Sequence, residues 1–374
     1  MVNKKKKAKV ILASNIKGGV GKTSSILNIA YWISRLHKNS RVLVIDADAQ
    51  ANASSVVLGD EAVSNSKFNL STVWKKMIDD KFYRPSKEEL LSLIKTPSSV
   101  IIQKNGEEMI DETYEYGFHI IPTSITMNII EMQQELEDKK ANDTRKNARK
   151  QKDSQYVLYD LISCIQNYFN FDYILIDCPP NIGMFVINSI LVADYMYIPM
   201  STGILPVNGV KYTLMLQRVI QKTRGKTVEI LGLVNSIYKK GKTSDFVDDT
   251  ITFSFPHVEE FLTKIKSTIQ AENSLIDGNL ISMASKQHGE CYKEITKELL
   301  WKIYKPEFMK VERAKRVEIA KKVGTVREEL ETLDKRKDKE RYEQLEEIEK
   351  SLLQEIQTLK DLRKEQIDKL WQER

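Results

Sequence analysis

Ser14-Asn15-Ile16-Lys17-Gly18-Gly19-Val20-Gly21-Lys22-Thr23-Ser24 stands between the apolar run Val10 to Ala13 and TSSILNIAYWISRLHK, whose apolar residues recur at helical spacing. Strand, glycine-rich loop and helix, in that order, build a phosphate-binding loop. Consecutive backbone N–H groups point inward at phosphate oxygens, and Gly18, Gly19 and Gly21 let the backbone approach with no Cβ in the way. In this pattern Lys22 reaches the β- and γ-phosphates, Thr23 offers its hydroxyl to Mg²⁺, and Val20 and Ser24 complete the cradle ahead of a helix N-terminus. One feature departs from G-x-x-x-x-G-K-[ST]: Ile16 replaces the leading glycine, and a second lysine, Lys17, stands beside it.

Working outward, RVLVIDADAQ, FHIIPT, FDYILIDCPP, DYMYIPM and VEILGLVNSIY each read as a strand. DLISCIQNYF, MFVINSILVA and NGVKYTLMLQRVIQKT read as the helices between them. Continuous apolar strands alternating with amphipathic helices imply a doubly wound α/β domain, with a mostly parallel sheet covered on both faces. A nucleotide site needs acids at its strand ends, and Asp177 ends one strand while Asp46 and Asp48 end another. Asp177 is in the position of a Walker B acid. Asp46 and Asp48 share a face if their strand persists.

The motifs KGGVGKTS, VIDADAQANAS and YILIDCPP resemble those of the ParA/MinD family of deviant Walker A ATPases, especially its DNA-partitioning, Soj-like branch. HIIPTSITMNIIEMQQEL, VINSILVADYMYIPM and ILGLVNSIY extend the resemblance over roughly residues 8 to 305. It implies a Mg²⁺-dependent ATPase that dimerises with ATP, binds DNA without sequence preference, and is stimulated by a centromere-bound, ParB-like adaptor. Lys17 would then act in trans on the neighbour's phosphates while Lys22 serves its own. Asp48 would orient the attacking water, Asp46 and Asp177 would lie near Mg²⁺, and Asn235 would contact adenine. The family's usual Asp-Pro-Gln is here Asp48-Ala49-Gln50, which bears on loop rigidity. Its C-terminal Pro-Arg segment is replaced by LIDGNLISMASKQHGE.

The ATPase domain is expected over residues 1–306, with a polar, basic insert at about 139–153, and a charged helical extension over 307–374. In that extension Val323, Val326, Leu330, Leu333, Leu345, Ile348, Leu352, Ile356 and Leu359 return at three- and four-residue steps, a coiled-coil seam. The seam fails across DKRKDKER, residues 334 to 341. Either one helix runs through or two helices fold back there, and the tail packs on its own domain or meets a partner.

Net charge is +6, from 58 Lys and Arg against 52 Asp and Glu, which permits a polyanionic partner without demanding one. Lys4 to Lys7, then Arg145, Lys146, Arg149, Lys150 and Lys152, then Lys239, Lys240 and Lys242 are the basic groups available to a DNA backbone. The first strand begins almost at once, so no N-terminal helix-turn-helix domain is expected, nor operator binding. Three cysteines without a C-x-x-C pair imply neither a disulfide framework nor a metal cluster. No apolar run is long enough for a signal peptide or a membrane span, so a cytoplasmic, nucleoid-associated protein is expected. The alternative is an ATP-controlled scaffold, filament or MinD-like positioning ATPase acting through the helical tail.

Overall fold

The computed structural model describes residues 7–105, 108–124, 126, 130, 156–202, 204–225, 227–268 and 279–372. Its first half runs β1 (Lys9–Ala13), α1 (Lys22–Leu36), β2 (Val42–Asp46), α2 (Asn52–Leu58), α3 (Asp60–Ser64), α4 (Leu70–Asp79), α5 (Lys87–Leu93), β3 (Ser98–Asn105), β4 (Glu108–Glu115) and β5 (His119–Ile121). Next come α6 (Val157–Tyr168), β6 (Tyr173–Asp177), α7 (Met184–Val192), β7 (Tyr195–Ser201), α8 (Ile204–Arg224), β8 (Glu229–Ile237) and α9 (Lys242–Ser254). The chain closes with α10 (Ile281–Ala284), α11 (Lys286–Tyr304), α12 (Pro306–Thr332) and α13 (Lys339–Gln372).

Six strands form one all-parallel sheet in the order β5-β2-β6-β1-β7-β8, and they are the six that the apolar runs mark. The period-two alternation of a strand assigns its residues to two cores. Val10 and Leu12 of β1 face Leu70, Trp74, Leu161, Phe185 and Val210, under α4, α6, α7 and α8. Ile11 and Ala13 face Ile26, Ile29, Ile33, Ile295 and Leu299, under α1 and α11. Helix α1 alone buries Ile26, Leu27, Ile29, Ala30 and Ile33 completely, each large aliphatic contributing about 1.5–3 kcal/mol. In register, Asp177 of β6 lies between Ala13 of β1 and Asp46 of β2, so two acids line up on one side of the start of the glycine-rich loop.

One feature differs from the sequence reading, and in another the structure takes one of the two alternatives that the sequence left open. An antiparallel β3–β4 pair, with Asn105 opposite Glu108, forms a separate two-stranded sheet where no strand was expected. The signal was present, because the pairing leaves Gly106-Glu107 as a two-residue connection, and a glycine in first place is a common hairpin sequence. The tail resolves into two helices that fold back after Thr332, and they pack on each other within one chain. Their shared core is Ile319, Val323, Leu352 and Ile356, with Val326 and Leu359 half-buried beside it, while Ile348 of the expected seam is exposed. The fold-back coincides with the polar DKRKDKER stretch, which has no apolar side chain to bury between helices. Among the described residues no helix is long and apolar enough to cross a membrane.

Candidate functional site

The loop between β1 and α1 is held from beneath by Asn15. Its buried side chain donates to the Pro199 carbonyl of β7 (2.8 Å) and accepts from the Lys17 backbone N–H (2.9 Å). The Ile16 N–H donates to Thr213 Oγ1 of α8 (3.2 Å). Gly19 and Gly21 adopt left-handed φ values of 70° and 79°, which a residue with a Cβ enters only under strain. At Gly21 a Cβ would also stand 2.9 Å from Ser236 Cβ. Gly21 caps α1 with no side-chain hydrogen bond, leaving the first helical N–H groups directed into the site for an anion.

The two lysines diverge. Lys22 is buried, its ammonium donating to the carbonyls of Asn15 (3.2 Å) and Lys17 (3.3 Å). Lys17 is exposed and does not line the cavity that Lys22 lines. That cavity, about 830 Å³, runs along residues 18–24 and is closed by Asp48, Gln50, Asn52, Ser55, Val56, Gly59, Asp60 and Pro180.

Asp46 and Asp48 do not share a strand face, because β2 ends at Asp46 and the chain turns. Asp46 is fully buried and accepts from Ser54 N (2.8 Å), Ser54 Oγ (2.6 Å) and Asp48 N (3.2 Å). Asp48 Oδ1 accepts from Gln50 N (3.0 Å) and the Asp48 carbonyl from Ala51 N (2.8 Å), so the turn is held by side-chain and backbone bonds in place of a proline. Ala51 pays for that turn with a left-handed φ of 54°. Asp177 is fully buried, and neither of its carboxylate oxygens has a hydrogen-bond partner among the described residues. Burial, reinforced by the Asp46 charge, pushes Asp177 up to about 8, with Thr23 and Lys22 pulling the other way. Burial likewise raises Asp46 to about 7 against the hydrogen bonds from Ser54.

An orphaned acid beside Thr23 and a phosphate cradle fits a divalent cation: its charge would replace the proton that Asp177 otherwise keeps. Among the described residues no group of three His, Cys, Asp or Glu could hold a metal ion.

Behind the loop a second cavity of about 240 Å³ is lined by Gly19, Gly21, Ser24, Ser236, Ile237, Ile265, Ser267, His288 and Tyr292, among others. Asn235 precedes that wall. It is buried with both amide atoms unpartnered among the described residues, so an unmatched donor and acceptor stand at the end of β8. His288 accepts or donates at Nδ1 with Ser285 Oγ (2.8 Å) and contacts the Lys266 carbonyl through Nε2 (3.1 Å), closing the side where the Pro-Arg segment is replaced.

Of the residues singled out in the sequence, the structure places loop residues 18–24 and Asp48 around one cavity, whereas Asn235 lies buried near the end of β8 and lines neither cavity. Asn15, Ser54, Ser236, His288 and Tyr292 were missed: Asn15 and Tyr292 make contacts far along the chain, to Pro199 and Ser24, and none of the five belongs to a local pattern. Of the basic groups, Lys239 and Lys240 are exposed just beyond β8 and Lys242 opens α9. Lys4 to Lys6, Arg145, Lys146, Arg149, Lys150 and Lys152 lie outside the described residues, whereas Lys7 is exposed.

A model of the AAA domain family matches residues 8–230. The sporulation initiation inhibitor protein Soj of Bacillus subtilis is 27% identical over 226 residues, spanning 60% of this chain and 71% of its own. Among solved structures, an ATP complex of a McdA variant from Cyanothece superposes with a TM-score of 0.59 at 20% identity, covering 78% of this chain and 96% of that one. A putative plasmid partition protein from Borrelia burgdorferi bound to AMPPNP gives 0.57 at 21% identity, covering 79% and 100%.

Proposed function

The chain belongs to the AAA domain family of P-loop ATPases, in its ParA branch, and from that premise we propose that it is an ATP-dependent dimerising switch for partition of DNA. In this reading the 830 Å³ cavity takes the triphosphate and the 240 Å³ cavity the base side, with Asn235 offering its unmatched amide to adenine. Gly18, Gly19, Val20, Gly21, Lys22, Thr23 and Ser24 bind the phosphates. Thr23 and Asp177 hold Mg²⁺, which supplies charge neutralisation at the phosphates. Asp46 sits behind them, its bonds to Ser54 and the Asp48 N–H fixing the turn that carries Asp48. Asp48 lines the phosphate cavity and orients the attacking water there.

The observation that carries the proposal is the exposure of Lys17 beside the burial of Lys22. A second lysine turned out of its own cavity serves phosphates held by another copy, where it adds positive charge as a trans-acting arginine does elsewhere. Dimerisation then depends on the anions between the two lysines. DNA binding by the dimer rests on backbone phosphates, with Lys239, Lys240, Lys242 and the basic 145–152 stretch as contacts, and a ParB-like adaptor stimulates hydrolysis. DNA retardation with ATP, with ADP and without nucleotide across a salt series tests this. Retention only with ATP, weakening steeply with salt, is expected; equal binding in all three states would sink it.

The packing of the tail favours one further reading, a positioning or assembly protein in which the hairpin meets the partner. Its helices present Ile348, Leu353 and Leu362 to solvent.

A further inference from the structure

The α12–α13 hairpin is tied into the ATPase sheet by a buried ionic cluster. Arg363 of α13 is inaccessible to solvent and donates to Glu312 of α12 (2.7 and 3.1 Å), to Glu298 of α11 (2.8 Å) and to the Glu260 carbonyl (2.9 Å). Arg313 of α12 pairs with Glu259 (3.1 Å) and donates to the Ile230 carbonyl of β8. Lys302 of α11 joins Glu259 (3.4 Å), Glu298 (3.1 Å) and the Leu231 carbonyl (2.8 Å), and Glu298 accepts from Leu262 N (2.8 Å). Residues 259–262 are therefore gripped at side chain and backbone by hairpin and α11 together.

From that grip the chain runs on beside β8. Leu233 N donates to Glu259 O, Phe261 N to Leu233 O, Ile265 N to Asn235 O and Tyr238 N to Ile265 O. The same run then forms the wall of the second cavity at Ile265, Lys266, Ser267 and Thr268. Leu262 and Ser267 are five residues apart, at most roughly 17 Å of chain at about 3.3 Å per residue. Helix α11 makes a parallel link, carrying Glu298 and Lys302 at the cluster and His288 and Tyr292 at the cavity. Both walls of the cavity that come from this part of the chain thus begin in the ionic cluster.

We infer that the hairpin sets the geometry of the base side of the nucleotide site through the segment 259–268, with Arg363 the positioning residue, so that hairpin seating and ATP affinity are linked. This rests on the reading of the second cavity as the base pocket. Linkage is reciprocal: a hairpin that stabilises the ATP-binding geometry is itself held more firmly when ATP is bound. A protein that docks on the hairpin and loosens it would thereby promote nucleotide release.

The test uses the full chain. Arg363→Glu sets a third carboxylate against Glu298 and Glu312 and unseats α13, read as faster amide exchange over 339–372. Calorimetry then compares Mg²⁺-ATP with Mg²⁺-tripolyphosphate, which has phosphates and no base. ATP binding is expected to weaken about tenfold, within the roughly 5–150-fold range of such couplings, while tripolyphosphate binding holds. Arg341→Ala, which removes the pair to Glu329 beside the turn between the two tail helices, leaves both affinities unchanged. In the unaltered chain ATP slows exchange in 259–268 and 339–372, and this arm decides should Arg363→Glu not fold. Equal loss of both ligands, unchanged ATP affinity with a released hairpin, or hairpin exchange indifferent to ATP each overturns the inference alone. An unaltered chain that binds tripolyphosphate and ATP equally overturns the base-pocket reading, and the inference with it.

Discussion

Replacing Asp177 with Asn should stabilise the nucleotide-free protein at alkaline pH. An unfolded aspartate releases its proton near 3.8, whereas burial and then the Asp46 charge hold the Asp177 proton to about 8. Between those values the folded chain binds more protons than the unfolded one. The stability this group contributes is therefore fully present below 3.8 and is lost as pH rises to about 8. At about 1.4 kcal/mol per unit over roughly four units, the loss at pH ~8 is on the order of 5 kcal/mol. Asparagine keeps the shape without the charge, but its unmatched amide costs about 1–3 kcal/mol in a buried site. The expected net gain is about 2–4 kcal/mol near pH 8, shrinking to about zero near pH 5. Urea unfolding without nucleotide or Mg²⁺ at both pH values reads it directly. An Asn variant no more stable than the parent at pH 8, or equally favoured at pH 5, would refute the account of Asp177 as a buried acid awaiting a cation. Mg²⁺-ATP binding by the parent near pH 7 should further release close to one proton, seen as a heat that depends on buffer ionisation. The variant should release none from this group.

Lys17→Ala should leave nucleotide affinity of the monomer nearly unchanged while dimerisation or turnover falls by at least tenfold; sedimentation with ATP and a phosphate-release assay report the two, and an unaltered turnover rate refutes the trans role. Asp48→Ala should trap the ATP dimer on DNA, and a variant that fails to dimerise with ATP shows the assignment to be wrong. Gly209→Ala, although alanine favours helix, would place a Cβ within contact of the Asn15 side chain and 2.9 Å from Lys17 Cβ. It should lower stability by about 1–3 kcal/mol and weaken ATP binding, measured by thermal melting and calorimetry; a variant that melts and binds like the parent would show that α8 does not support the loop.

The six parallel strands were legible because each is buried on both faces and so reads as a continuous apolar run, and the loop because its glycines and Lys22 are contiguous. The β3–β4 pair was missed for the opposite reason. SSVIIQKNGEEMIDETYE is polar at most positions and belongs to a separate two-stranded sheet, where the strong signal was a turn dipeptide. Asn15 is the sharpest case in the site. It holds the loop to β7, 184 residues away, and nothing in its neighbours announces a partner so distant.

By itself, the sequence determined the class of fold, the phosphate loop, the acids at the strand ends and the helical character of the tail. All of these follow from local pattern: period, glycine placement and charge next to an apolar run. Tertiary structure alone decided that Asp48 leaves the strand that carries Asp46, that Lys22 turns inward while Lys17 turns out, and that the tail folds back and is tied to β8 by Arg313 and to residue 260 by Arg363. These outcomes depend on burial and on which charges meet across long stretches of chain. Whether a carboxylate or an ammonium is desolvated, and what it finds there, is a property of packed surfaces that no short window of sequence contains.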